Sequence, residues 1–416
     1  MTDNHVRLDA AAVGRTLDDL SAIGNRWAGG PGEAACRDYL VERLRAVGHP
    51  ETALEPFPYV GFEAGRASCA VAGHPELVLE CHALQYTAPG EAAGEAVYLG
   101  EAGDADFARL DAHGVSLAGK VVLAHTVFPF DLCDELTRRE IAGLVHICET
   151  PDGIVGTFAG ALYPPPLAPP WPGRPVPYAG VTIGHAAGRA LLSAMTAAGP
   201  LEITLGHDGA LHERETANIV TTIPGSDPDA GHVIVCAHYD SQREGDGIFD
   251  NGGGLAGLLE LARVLPEAGP RRAIALVATA AEEIGVWGAT AYTARHAAEL
   301  AAAAAMVNLD GVATAYPSQR EIWSAHPGLA VLAEQTARDM GWRPDRVNVR
   351  RSTFGDHAPF GDAGVPSCLV WRPDFPYYHS RGDIRERVDA AAVAETASVS
   401  ANLVLALARG ATVRGA

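Results

Sequence analysis

The sequence predicts an α/β protein: a mostly parallel, mixed sheet covered by helices on both faces, with a β-rich insert. Two observations lead there. After Glu213, apolar runs alternate with helical segments: HVIVCAH (232–238), RRAIALVATA (271–280), AAMVNLD (304–310) and PSCLVW (366–371) are separated or followed by helical patterns at Gly254–Leu265, Trp287–Leu300, Leu329–Met340 and Val388–Ala408. Near-continuous apolar strands are those of a sheet buried on both faces. Between Phe57 and Leu211 the texture changes to short β-rich runs with turns, such as ASCAVAG, GKVVLAH, YAGVTIG and LEITLG. The expected domains are therefore 1–56 joined with 213–416, and an insert at 57–212.

Taken in order, residues 1–56 read as helices. Asp9 suits the cap of the first, and a second fits Pro31–Val47, with Pro31 at its start and Gly48 just past its end. Two helices are expected inside the insert, at Asp104–His113 and His185–Ala198. A proline-rich loop, YPPPLAPPWPGRPVP (Tyr163–Pro177), interrupts it. Loops of this length are often functional, and a lid over the site is one reading of it.

Composition narrows the partners. The chain has 416 residues, 48% of them hydrophobic, enough for two buried cores. A formal net charge of −20 argues against nucleic acid or an anionic membrane as partner. The seven cysteines are scattered, odd in number and never spaced C-x-x-C, which fits free thiols in a reducing compartment. MTDNHVRLDAAAVG has neither the positive start nor the apolar run of a signal peptide, and no apolar stretch of spanning length is evident, so a cytoplasmic location is expected. The sequence sets no oligomeric state, and a homodimer is one option.

The chemistry lies at the strand ends. His238 closes a strand with Asp240 two residues on, and a carboxylate there suits the second N–H of a metal-bound imidazole. Asp250 sits in the turn Asp250-Asn251-Gly252-Gly253-Gly254 that opens a helix, where it is either a helix cap or a ligand. Glu282 and Glu283 follow a strand end, where neighbouring side chains diverge, so one can bind metal while the other faces a bound water. Asp310 ends a strand among Val307, Leu309 and Val312, where burying a carboxylate without a cation is costly. His379 follows Tyr377 and Tyr378 and is unremarkable alone. Open α/β sheets bind ligands beyond the carboxyl ends of their strands, and every candidate falls there. Two histidines, three carboxylates and a spare glutamate suit two divalent metals sharing one activated water. Zinc fits nitrogen with carboxylate ligands, and cobalt or manganese could substitute. Asp250, Glu283 and Asp310 cancel three of the four positive charges, and a hydroxide would cancel the fourth.

These segments, His238-Tyr-Asp240-Ser, Asp250-Asn-Gly-Gly-Gly, Glu282-Glu283-Ile-Gly, Asn308-Leu-Asp310 and Tyr378-His379-Ser, resemble the ordered motifs of the double-zinc aminopeptidase and glutamate carboxypeptidase family. The resemblance runs over roughly Ala217–Ala408. Asp356-His357-Ala-Pro-Phe also resembles a family segment, and the insert resembles the protease-associated domain of many members. The resemblance implies Asp250 as bridging ligand, His238 and Asp310 at one zinc, and Glu283 and His379 at the other. It implies Glu282 as general base and then acid, Asp240 as the residue orienting His238, and Tyr378 as a group polarising the scissile carbonyl. The family's usual Asp-Asn-Ala-Ser-Gly is here Asp-Asn-Gly-Gly-Gly, which would loosen the turn without removing a ligand. The expected activity is hydrolysis of short peptides or of aminoacyl and acyl amides by a metal-bridged hydroxide, with an aminopeptidase ahead of a carboxypeptidase, dipeptidase or N-acyl amino acid amidohydrolase. Arg350, Arg351 and Arg381 are candidates to clasp a substrate carboxylate. A single-zinc acyltransferase like the glutaminyl cyclases, and a non-catalytic receptor-like relative, are the other readings. The insert and its proline loop are expected to roof the metal cleft.

Overall fold

The structure is a computed structural model that describes residues 5–125, 135–149, 176–352 and 354–413. The chain divides into a larger unit, Met1–Tyr59 with Glu215–Phe375 and Asp383–Ala416, and a smaller one, Val60–Arg214 with Pro376–Gly382.

The larger unit is built on an eight-stranded sheet. Its order is Ala53–Glu63, Ala210–Ile223, Ala273–Thr279, His232–His238, Ala303–Asn308, Ser367–Trp371, Glu321–Trp323 and Arg346–Asn348. The four strands from Ala273–Thr279 to Ser367–Trp371 are mutually parallel, and antiparallel partners flank them on either side. The mixed, mostly parallel α/β fold expected from the sequence is thus present. His232–His238 lies between two parallel neighbours and is buried from Val233 onward, which is why its sequence shows no polar alternation.

The helices follow their caps. The first runs Ala10–Ile23, with the Asp9 side chain accepting from the N–H of Ala11, and the second Pro31–Ala46. The last, Ala390–Ala408, is capped by Asp389 and is long and apolar enough to cross a membrane by length and composition. Its apolar window is 72% buried within the protein, so its composition is that of a core helix. This corrects the expectation that no apolar stretch reaches spanning length.

A second correction concerns residues 1–56. A strand begins already at Ala53, and its burial alternates around Phe57, Tyr59 and Gly61. Pro56 and Pro58 obscure the pattern in the sequence. They are tolerated because this strand is at the sheet edge, where a missing N–H breaks no ladder.

The smaller unit holds a seven-stranded sheet ordered Ala67–Val71, Glu202–His207, Gly90–Gly100, Val121–Ala124, Gly143–Ile147, Ala179–Ile183 and Cys81–Ala83. Both helices expected there are present, as Asp104–Ala112 and His185–Ala198. The proline-rich loop lies outside the described residues over 163–175. Cys36, Cys69, Cys81, Cys236 and Cys368 are free thiols, and Cys133 lies outside the described residues.

Candidate metal centre

The sheet delivers its ligands in one place. His238 is the last residue of its strand, Asp310 stands two residues past Asn308, and Glu283 stands four past Thr279. Asp250, reached by the loop after His238, completes the approach. His238, Asp250 and Asp310 offer ligand atoms all within 4.8 Å of one another. Asp250, Glu283 and His379 form a second such group. Asp250 belongs to both.

The residues fit cations. His238 is 1% exposed, and its Nε2 lies 3.1 Å from Asp250 Oδ1 and 3.5 Å from Asp310 Oδ1 without making a hydrogen bond. A buried nitrogen facing two carboxylate oxygens, with no hydrogen bond to them, is arranged around a point between the three atoms. Buried polar groups usually have a partner, and this geometry could hold a metal ion. Burial alone would push the His238 imidazole down, but Glu282 and Asp310, with Asp240 and Asp250, hold it well above its usual range. Burial pushes the Glu282 carboxyl well up, and Asp310 and Glu283 add to this. Such a concentration of like charge is relieved by a divalent cation. Asp310 is less enclosed than its apolar neighbours suggested, with its side chain 19% exposed.

Each ligand is held by the chain around it. His238 Nδ1 meets the backbone carbonyl of Asp240 at 3.2 Å, and the Asp240 carboxylate lies farther off at 3.7 Å. That carboxylate instead accepts the N–H groups of Glu282 and Glu283, both at 3.1 Å. Asp240 therefore orients His238 chiefly through its main chain and fixes the Glu282-Glu283 turn with its side chain. Gln242 Nε2 donates to Glu283 Oε2 at 3.1 Å. His379 adopts a left-handed φ of 54° in a turn where Ser380 Oγ donates to the Tyr377 carbonyl and accepts from Gly382. Tyr378 stacks on the His379 ring, centroids 3.6 Å apart.

The Asp250 turn is anchored by residues the sequence reading passed over. Asp383, 2% exposed, accepts the N–H groups of Phe249 at 2.7 Å and Asp250 at 3.0 Å. Arg26, fully buried, donates to the carbonyls of Tyr239, Asp246 and Gly247. Asn251 donates to the Leu309 carbonyl and accepts from Gly254 N–H, tying the turn to the strand end that carries Asp310. Gly254 is required, because an added Cβ would strike the Leu309 carbonyl and Asn251 Oδ1. At Gly253, where the related motif has serine, an added Cβ would meet Val393 Cγ2 at 3.5 Å and atoms beyond, whereas at Gly252, where it has alanine, the Gly247 carbonyl oxygen would lie closer, at 3.3 Å. Asp356 is also buried, with Thr279 and Cys236 donating to its Oδ2.

Comparison with known proteins bears on this site. Residues 218–404 match the model of Peptidase family M28, and that stretch contains the five candidate ligands and Glu282. This part of the chain is similar to the peptidases of family M28. Aminopeptidase YwaD of Bacillus subtilis is 31% identical over 166 residues, which cover 38% of this chain and 36% of that protein. The matched stretches span about a third to a half of the curated relatives. The chain shares its fold with solved structures. An aminopeptidase from Aneurinibacillus sp. strain AM-1 superposes with a TM-score of 0.73 at 22% identity, covering 99% of this chain and 96% of that one. A zinc aminopeptidase from Bacillus subtilis gives 0.72 at 21%, covering 97% and 96%.

Proposed function

We propose that this protein is a zinc-dependent aminopeptidase that hydrolyses short peptides or amino-acid derivatives. The observation that carries the reading is the sharing of Asp250 by two ligand groups, His238–Asp250–Asp310 and Asp250–Glu283–His379, with Glu282 beside them. The activities named for related proteins, an aminopeptidase and a zinc aminopeptidase among them, support it.

In this reading His238, Asp250 and Asp310 hold one zinc, and Asp250, Glu283 and His379 the other, with cobalt or manganese as substitutes. Such a pair would supply an activated, bridging water and polarise the scissile carbonyl. Glu282 takes the proton released as water attacks that carbonyl, and then delivers it to the departing amine. Asp240 keeps Glu282 in place by binding its N–H, so base and ligand are set by one carboxylate. The Tyr378 hydroxyl is assigned to the carbonyl oxygen. The free thiols of Cys36, Cys69, Cys81, Cys236 and Cys368 agree with the cytoplasmic location we propose.

The test is hydrolysis by zinc-loaded protein of aminoacyl anilides with a free amine against their N-acetylated counterparts. Cleavage of the free-amine substrates alone supports an aminopeptidase. Cleavage of the blocked ones alone moves the activity to an amidohydrolase or carboxypeptidase.

A further inference from the structure

His238 and Asp250 stand at the two ends of one loop, and their side chains meet at 3.1 Å. Residues 239–247 of that loop lie in neither helix nor strand. No regular hydrogen-bond ladder therefore fixes the loop, and the order that brings its ends together has to come from another part of the chain.

Arg26 supplies it from the N-terminal segment. The residue is fully buried. Its guanidinium donates from Nε to the Tyr239 carbonyl at 3.0 Å, from Nη1 to that of Asp246, and from Nη2 to that of Gly247 at 2.8 Å. Tyr239 directly follows His238. The Gly247 carbonyl also accepts the N–H of Gly252 at 2.9 Å, on the far side of Asp250. One planar fork thus spans the loop from the residue after one ligand to the turn that carries the other. The Arg26 main chain adds a second tie, its N–H donating to Ser241 Oγ at 2.9 Å and its carbonyl accepting the Ser241 N–H at 3.3 Å. Asn25 Nδ2 donates to the carbonyls of Gln242 and Gly245.

Two further observations mark a built clamp. Among the described residues no carboxylate pairs with the Arg26 guanidinium, although buried cations are ordinarily paired; its donors are directed at loop carbonyls instead. Gly247 has a left-handed φ of 61°, and an added Cβ there would stand 2.4 Å from Ser241 Cβ, 2.6 Å from the Asp250 carbonyl oxygen and 3.2 Å from Arg26 Nη2. The loop is wrapped too closely around the guanidinium to admit a side chain at that point. Arg26 also lies outside residues 218–404, the stretch that matches family M28.

We propose that Arg26 is a positioning residue of the metal centre, closing loop 239–247 so that His238 and Asp250 meet at one cation. This rests on the metal-centre reading and adds to it a residue from beyond the matched stretch. The shape of the fork matters as well as its charge. A lysine at position 26 would keep the charge but offer one nitrogen to three separated carbonyls.

The experiment measures zinc affinity by chelator competition on the full chain, with thermal unfolding of the metal-free protein alongside. It compares wild type with Arg26→Ala, Arg26→Lys and Arg272→Ala. Arg272 is the control. It too donates to three backbone carbonyls, those of Ala230, Leu407 and Ala411, but it precedes the strand Ala273–Thr279, at the end away from the ligands. Arg26→Ala should lower zinc affinity about 10–100-fold and Arg26→Lys by less, while Arg272→Ala should lower only the unfolding temperature. A merely structural arginine would change the unfolding temperature without changing affinity. If Arg26→Ala does not fold, Arg26→Lys carries the comparison. Wild-type affinity in Arg26→Lys, or an equal loss in Arg272→Ala, would overturn the proposal. A wild-type chain that binds no zinc would overturn the metal-centre reading and this proposal with it, and that failure is told apart because it shows in the wild type.

Discussion

The Asp383 carboxylate accepts the backbone N–H groups of Phe249 and Asp250, one on each oxygen. The ligand common to both metal groups is therefore positioned by a residue four places after the last ligand, His379. Removing the acceptor leaves two buried N–H groups unpaired, at about 1–3 kcal/mol each. Asp383→Ala should lower metal affinity about 10–100-fold, the usual effect of losing a residue that orients a ligand. Asp383→Asn, which keeps one acceptor oxygen, should fall between. Chelator competition followed by metal analysis measures this without reference to turnover, and wild-type affinity in both variants would remove Asp383 from the site.

Glu282 divides binding from chemistry. Glu282→Gln should retain the metals, since neither ligand group includes it, and lose about 10²–10⁴ in kcat. Metal content and kcat measured on the same preparation check both halves. Near-normal turnover would exclude Glu282 as the base.

The glycine turn gives a stability prediction with opposite signs at neighbouring positions. Gly253 has helical φ and ψ and room for a methyl group, so Gly253→Ala should be neutral or stabilising by up to about 1 kcal/mol. Gly254→Ala should be destabilising, because the new methyl group meets a backbone carbonyl. Thermal unfolding of the two variants decides; equal shifts would contradict the packing described here.

Burial, aided by the nearby Asp250 carboxylate, raises the Asp383 carboxyl from 3.8 to about 7 against the pull of its two N–H bonds. Between about pH 4 and 7 the folded, metal-free protein thus holds a proton that the unfolded chain releases. Its stability should fall as pH rises through that window, by at most about 1.4 kcal/mol per pH unit from this group, and level off above it. Bound cations favour the ionised form, so the metal-loaded protein should show a shallower slope. Denaturant unfolding across pH 4–8 of both forms, and of Asp383→Asn, tests this; a rising stability of the metal-free protein over that window would contradict it.

What the sequence disclosed and what it hid follow from the range of the interactions. His238, Asp310 and the Glu282-Glu283 pair were legible because each follows an apolar strand, and strand ends of such a sheet face a common edge. Asp250 was ambiguous with a helix cap until the structure brought it to His238. Asp383 and Arg26 were invisible because their roles depend on partners more than a hundred residues away, and a buried charge leaves no local pattern. The edge strand from Ala53 was hidden by Pro56 and Pro58, which make sense only once its place in the sheet is known.

The most direct test of the account is metal content per chain, measured on protein purified without chelators and paired with cleavage of free-amine substrates. The account predicts two zinc ions per chain and cleavage that disappears when they are removed and returns with zinc. One zinc or none, with no hydrolysis of any amide after zinc is supplied, would contradict it.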